Sequence, residues 1–364
     1  MIYQERLQKS DLFYGLNIAH LKFYGLWDGI NDYRSTRKTS RMFKLNMTLS
    51  TLYVFPYVDQ CDLVDLLRVD FLSSIPDSKR HHVNSIYQQN AFRCNIFTVL
   101  AFTGNVLTII TWTILPGFDT EKTGTGRKKI LSGWYPVPYS ESPWYEIVFG
   151  YEVILICWHG SLVSLYESFL LILLVALYSH FIVLGYHTST LNKNYKGLIK
   201  TKDDATNNIA FNMELRKILL DYNKLLRYSH LLQTTYNTIT TITLGLDILV
   251  LILTILFLMF VSSDALSTFK LMMYFSFALI EITLLCVSSS FVESASMAIQ
   301  DSVYSSDWYS ADKAFATTAQ MIMIRAKRPV TLTALKMYPV NMETMIAIFR
   351  FIYSAVAVLS KMKE

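Results

Sequence analysis

Long apolar blocks alternate with polar stretches along this chain of 364 residues. The blocks at 94–115, 147–186, 236–261, 269–291 and 342–359 carry at most two Asp, Glu, Lys or Arg side chains each. Eighteen helical residues rise about 27 Å, close to the ~30 Å hydrocarbon thickness of a bilayer, so each block predicts a membrane-spanning helix. The block at 147–186 is longer than a membrane is thick and predicts a helix that continues into the cytosol. A shorter block at 42–58 predicts a first span, with Lys44 near its edge where the side chain can snorkel. Between 59 and 75 the pattern breaks, because Asp62, Asp65, Arg68 and Asp70 interrupt the apolar residues. Each charge at the bilayer centre costs about 2.5–3.5 kcal/mol. Two readings stand for this stretch: a second span packed inside a bundle, or a shortened loop and helix. With it counted, the pattern predicts an all-α membrane protein of seven transmembrane helices.

The segments between the blocks have their own patterns. Residues 1–41 mix basic side chains with Leu12, Phe13, Leu16, Leu21, Phe23 and Trp27, which predicts a cytosolic amphipathic helix lying on membrane lipid. Residues 76–93 are polar and predict a solvated basic loop. Residues 118–144 form an outer loop dense in aromatics and proline, suited to the interfacial belt and to a stiff lid. In 187–235, a flexible loop near 201–208 precedes an amphipathic helix carrying Leu215, Ile218, Leu219, Tyr222, Leu225 and Leu226 at helical spacing. Residues 293–338 predict further cytosolic helices. Asn341 is placed to cap the final block, and Glu343 suits the first-turn dipole. The resulting segments are 1–41; 42–186 with spans one to four; 187–235 as cytosolic loop and helix; 236–292 with spans five and six; 293–338 as cytosolic helices; and 339–364 as span seven.

Composition narrows the class. Hydrophobic residues make up 52% of the chain and charged residues 17%, against about 25% charged in soluble chains. The net charge of +5 comes from loops between apolar spans, which argues for membrane orientation rather than nucleic-acid binding. Basic residues concentrate in the N-terminal region, the 76–93 and 187–235 loops and the 300–330 block. The positive-inside rule then places the N-terminus in the cytosol, and seven spans place the C-terminus outside. No uninterrupted apolar stretch opens the chain, so no cleaved signal peptide is expected. Cys61, Cys94, Cys157 and Cys286 lack paired or metal-type spacing and predict free thiols. The acceptor sequence Asn46-Met47-Thr48 lies inside an apolar block. His81 and His82 are adjacent and point apart on a helix; with no third ligand near them, no metal site is expected. No phosphate loop, His-x-x-x-His pair or nucleophile–base set is present. An enzyme and a bound cofactor are therefore not expected.

A few polar residues stand out within the spans. Asn105, Thr108 and Trp112 share one face of the third span, either as interhelical hydrogen-bonding groups or as groups facing a ligand. Asp247 and Glu281 are single acids in apolar helices, and such acids are functional candidates. In the last span, Phe349, Tyr353, Val356 and Ser360 form one stripe, open to lipid-facing packing or to lining a pore. Arg350, near mid-helix, faces lipid only at high cost and points instead to water or to a subunit interface.

The end of the chain carries an ordered set of features: Tyr304 and Trp308; Arg325, Lys327, Arg328 and Pro329; Thr331, Leu332 and Ala334; then Tyr353 and Ser354 in the last span. In this order and spacing the set resembles the C-terminal signature of insect odorant receptors. The resemblance implies a ligand-gated, non-selective cation channel in the plasma membrane of olfactory sensory neurons. It implies a tetramer, usually shared with a co-receptor of the same fold, whose pore is formed by the last helix of each subunit. By the same resemblance Tyr304, Trp308, Arg325, Lys327, Pro329 and Arg350 belong to the subunit anchor and interface, within a cytosolic helical anchor that includes 324–337. Val356 falls at the hydrophobic gate, with Tyr353, Leu359 and Ser360 beside it. The implied pocket lies in the outer half of the bundle. At matching heights it would take Asn105, Thr108, Ile109 and Trp112 from the third span, Ile156 and His159 from the fourth, and Tyr274 and Phe277 from the sixth. Its expected ligand is a small volatile organic molecule held mainly by burial. A gustatory-type receptor channel is the alternative; it would be expected to end in Thr-Tyr-x-x-x-x-x-Gln-Phe, whereas the corresponding Tyr353 is followed here by Ser-Ala-Val-Ala-Val-Leu. A G-protein-coupled receptor or a secondary transporter is less favoured, since neither Asp/Glu-Arg-Tyr, Asn-Pro-x-x-Tyr nor an internal repeat is present.

Overall fold

The computed structural model describes residues 66, 71–76, 79–118, 142–191, 204–260, 265–306, 308 and 313–361. The expected N-terminal helix, the first span, the 119–141 part of the outer loop and Cys61 lie outside these residues. The described elements are α1 (Arg80–Phe118), α2 (Trp144–Ser189), α3 (Asp204–Phe260), α4 (Ala265–Tyr304), α5 (Lys313–Ala326), β1 (Thr333–Ala334), β2 (Tyr338–Pro339) and α6 (Met342–Lys361). Five helices among the described residues are long and apolar enough to cross a membrane. In four of these, 6–22% of the most apolar window is covered by protein; in α2 the share is 83%. A helix that is apolar all round is a buried helix, and the second half of α2, Tyr166–Ser189, is the one this chain surrounds with its own side chains, whereas Ile147, Tyr151 and Ile154 in its first half are exposed. The others present apolar faces that require lipid or another subunit.

Three expectations are corrected. Residues 80–93 are not a basic loop but the first turns of α1. Val83, Tyr87, Ala91 and Cys94 are buried at helical spacing, a narrow stripe hidden by its polar surroundings. Helix α3 begins at Asp204, inside the expected flexible loop, and runs 57 residues without a break. It contains no proline and a single glycine, Gly245, so nothing in its sequence stops helix propagation. Thirdly, the chain is not wholly helical, since β1 and β2 pair antiparallel, Thr333 opposite Pro339 and Ala334 opposite Tyr338.

Two compact units divide the chain. The first comprises Met1–Ile96, Leu170–Ile242 and Leu285–Met345; the second Phe97–Phe169, Thr243–Leu284 and Ile346–Glu364.

In the first unit, α2 supplies Leu173, Leu174, Leu177, Phe181 and Leu184 as fully buried side chains. From α3 come Leu215, Ile218, Tyr222 and Leu225, all members of the predicted stripe, and α4 adds Val292, Ala295, Ile299 and Val303. Phe315, Ala319, Ile322 and Ala326 form the buried face of α5. Each fully buried side chain of leucine size stabilises the fold by about 1.5–3 kcal/mol.

The doubtful stretch 59–75 docks onto this core where it is described. Residues 71–75 are not helical, which removes them from any second span. Phe71 and Leu72 are buried. The Asp221 carboxylate, itself buried, accepts from Ser73 N at 3.1 Å, Ser73 Oγ at 2.8 Å and Ser74 N at 2.7 Å. One turn on, Lys224 Nζ donates to the Phe71 carbonyl at 2.7 Å and lies 4.0 Å from the centre of the Phe71 ring. His180 Nε2 meets the Leu66 carbonyl at 2.7 Å, and Nδ1 meets Tyr87 Oη at 2.6 Å. A carbonyl only accepts, so Nε2 carries the proton and Nδ1 accepts from the tyrosine. Nearby, Lys79 Nζ donates to Thr190 Oγ1 at 2.6 Å. Partial burial pushes the Lys79 pKa down, and the Glu214 carboxylate opposes that shift.

The hairpin turns through Leu335 and Lys336, whose φ angles are 54° and 59°. Two left-handed residues in succession make a turn matched to strand twist, normally built from Asn and Gly. Here α3 holds it: Leu335 N donates to Thr241 Oγ1 at 2.8 Å and Lys336 N to Asn237 Oδ1 at 3.0 Å. Gln233 Nε2 donates to Thr333 Oγ1 at 2.5 Å, so three polar side chains at successive turns of α3 bind the hairpin. Asn341 caps α6 as predicted, its Oδ1 accepting from Thr344 N at 3.1 Å.

Candidate ligand site

The second unit gathers the polar and aromatic residues of the spans. Gly104, Asn105, Thr108, Ile109 and Trp112 occupy one face of α1. The amide of Asn105 donates to the Gly160 carbonyl at 2.9 Å and to Ser164 Oγ, both on α2. Gly160 makes this approach possible. A methyl there would sit 3.0 Å from Asn105 Oδ1 and 3.2 Å from Ile109 Cδ1. Small residues that let helix backbones come close are a device of membrane bundles. Gly104 does the same toward α4, where a methyl would lie 2.7 Å from the Phe277 ring.

Helix α4 carries Lys270, Tyr274, Phe277 and Glu281 at successive turns of one face. The Trp112 and Tyr274 rings meet edge to face with centroids 6.1 Å apart, and Lys270 Nζ lies 3.8 Å from the centre of the Trp112 ring. Thr108 Oγ1 donates to the Gly104 carbonyl of its own helix at 2.9 Å. Of the predicted residues, Asn105 and Ile109 thus pack on α2 at Gly160, Trp112 meets Tyr274, and Phe277 packs on Gly104, while Thr108 bonds only within its own helix. Ile156 is half-buried on α2, one turn before Gly160. The side chain of His159 lies outside the described residues.

Sequence reasoning missed Gly104, Gly160, Ser164 and Lys270 in this cluster. The small residues carried a legible signal as small positions on apolar helices, and Lys270 as a charge in an apolar run. It also missed Glu167, whose carboxyl group lies close enough to those of Glu281 and Asp247 for the three to act on one another. The two acids noted singly therefore belong to one three-carboxyl cluster.

On α6, Ile348 and Ile352 are buried, Val356, Leu359 and Ser360 are half-buried, and Tyr353 is 79% exposed. Arg350 is exposed. In the first unit, Tyr304, Arg325, Lys327 and Pro329 are exposed and Trp308 is half-buried. Arg325 Nη1 donates to the Arg328 carbonyl at 3.2 Å, and Val330 N to Ser296 Oγ at 3.0 Å, which fixes the basic turn. Among the described residues, no group of three or more His, Cys, Asp or Glu side chains is arranged to hold a metal ion. Chemically, the aromatic cluster offers apolar surface, an indole N–H and a cation, the equipment of a binding site.

Five helices long and apolar enough to cross a membrane among the described residues define a multi-pass membrane protein. The profile of the 7tm odorant receptor family matches residues 62–353, and the chain belongs to that family. A search of curated proteins by sequence found no match. Among solved structures, the chain is similar to the insect olfactory receptor OR5 from Machilis hrabei in complex with eugenol. That match has a TM-score of 0.68 and 18% identity, covering 84% of this chain and 79% of the other. The same receptor without a named ligand matches with a TM-score of 0.69 and 17% identity, over 94% and 87% of the two chains. At these identities the likeness is one of fold.

Proposed function

We propose that this odorant receptor is a subunit of a ligand-gated, non-selective cation channel. It binds a small volatile organic molecule against the α1–α2–α4 cluster and opens a tetrameric pore formed by α6. Its partner is a co-receptor of the same fold, in the plasma membrane of olfactory sensory neurons. The observation that carries the reading is the aromatic seam between α1 and α4, Trp112 against Tyr274 and Phe277 against Gly104, in a chain of the odorant receptor family. Aromatic surface with few polar groups suits an apolar ligand, since burial supplies about 25 cal/mol per Å². The structure of a related receptor described in complex with eugenol supports a small organic ligand. On α6, Val356 would close the pore as a ring that excludes water, and Tyr353, Leu359 and Ser360 would flank it. The exposed Tyr304, Arg325, Lys327, Pro329 and Arg350, with Trp308, would serve the subunit interfaces.

The test is odorant-evoked current in cells expressing the chain with and without a co-receptor. Current is expected for some members of a broad odorant panel, and Trp112→Ala is expected to shift their dose–response curves about tenfold or more while leaving assembly intact. Silence across the panel would refute the receptor-channel reading. Unchanged curves in Trp112→Ala would remove that residue from the site.

A further inference from the structure

Among the donors of Asn105, Thr108 and Trp112, one is unspent. Both amide hydrogens of Asn105 go to Gly160 and Ser164, and the hydroxyl of Thr108 goes to Gly104. Trp112 Nε1 is buried and has no hydrogen-bond partner among the described residues. A buried donor left without an acceptor costs about 1–3 kcal/mol, and buried polar groups are otherwise almost always paired. The ring that carries this donor contacts the Tyr274 ring and has the Lys270 ammonium over its face. A cation over the indole face is attracted by the π-system and draws electron density from it. The N–H is thereby left more positive and a better donor. An apolar helix face thus holds a fixed, polarised donor beside Tyr274.

We infer that the ligand of this site carries a hydrogen-bond-accepting oxygen, as in a ketone, ester or ether, and that Trp112 Nε1–H donates to it. Lys270 acts as a positioning residue through the ring. A hydrocarbon of the same shape gains only from burial and leaves the donor stranded. The site therefore selects oxygenated volatiles over hydrocarbons, and the selection resides in one atom. This inference rests on the receptor reading above and deepens it by naming the ligand class.

The experiment compares matched pairs differing at one atom or group: acetophenone with cumene, anisole with ethylbenzene, dibutyl ether with nonane. Currents are recorded from cells expressing the full chain with a co-receptor. The wild-type chain is expected to respond to the oxygenated member at about tenfold lower concentration. Trp112→Phe keeps an aromatic ring but removes the donor. It is expected to abolish the difference within each pair while sparing the hydrocarbon response. Replacing Trp112 by benzothienylalanine, which puts sulfur in place of N–H on the same ring frame, repeats the test without loss of volume. An undiminished preference in the benzothienylalanine chain, or no preference in the wild-type chain, would overturn the inference while leaving the receptor reading intact. Silence toward every compound would overturn the receptor reading, and the inference with it.

Discussion

Leu335 and Lys336 hold left-handed backbone without the glycine or asparagine that this conformation favours. Each such residue costs about 1–2 kcal/mol, offset here by the Thr241 and Asn237 side chains that accept from their amides. Lys336 is exposed, so its side chain is dispensable for packing. Lys336→Gly is expected to raise stability by about 1 kcal/mol, read as a higher thermal midpoint in detergent. Asp221 is the opposite case. Its carboxylate satisfies two backbone amides and one hydroxyl, so Asp221→Ala strands donors around a buried position. A loss of about 3 kcal/mol is expected, with faster limited proteolysis near residues 71–76 as the measurement. Asp221 was legible in the sequence only as a polar position on an amphipathic helix. Nothing local announces that it binds a segment 147 residues earlier in the chain.

At the scale of elements, the helices were legible because their apolar runs are long and free of proline. Their ends were less so. The first turns of α1 read as loop, since polar residues outnumber the buried stripe of Val83, Tyr87 and Ala91. The β1–β2 hairpin escaped detection for a different reason: Leu-Lys has no turn propensity, and its geometry is imposed by α3. The approach of α1 to α2 depends on Gly160, whose missing side chain leaves room for Asn105 and Ile109. Gly160→Val is expected to overpack this contact by about 1–3 kcal/mol. It should also separate Asn105 from Ser164, lowering both the thermal midpoint and the surface level of the receptor. Wild-type values for both would show that the helices need no such close approach.

For the molecule as a whole, the exposed apolar faces of α1, α3, α4 and α6 exceed what a lone soluble chain presents. Lipid covers such faces at no cost. The proposed tetramer would cover the part of α6 that carries Tyr353 and Arg350. In the proposed orientation, argued from the basic loops, the N-terminus lies in the cytosol, and seven spans would put the C-terminus outside. An epitope tag after Glu364 is expected to bind an impermeant antibody on intact cells, whereas a tag before Met1 should bind only after permeabilisation. The reverse pattern would invalidate the proposed orientation and with it the pore geometry.

The sequence by itself determined that the chain is helical, membrane-spanning and similar to odorant receptors at its C-terminal end. Those properties follow from apolar periodicity and local spacing, which one strand of residues carries alone. Tertiary structure decided which polar groups meet. It brought Glu167 near Glu281, docked residues 71–76 on Asp221, and laid Lys270 over Trp112. Each of these pairs lies far apart in sequence, and its energy arises only when burial removes water from both partners at once.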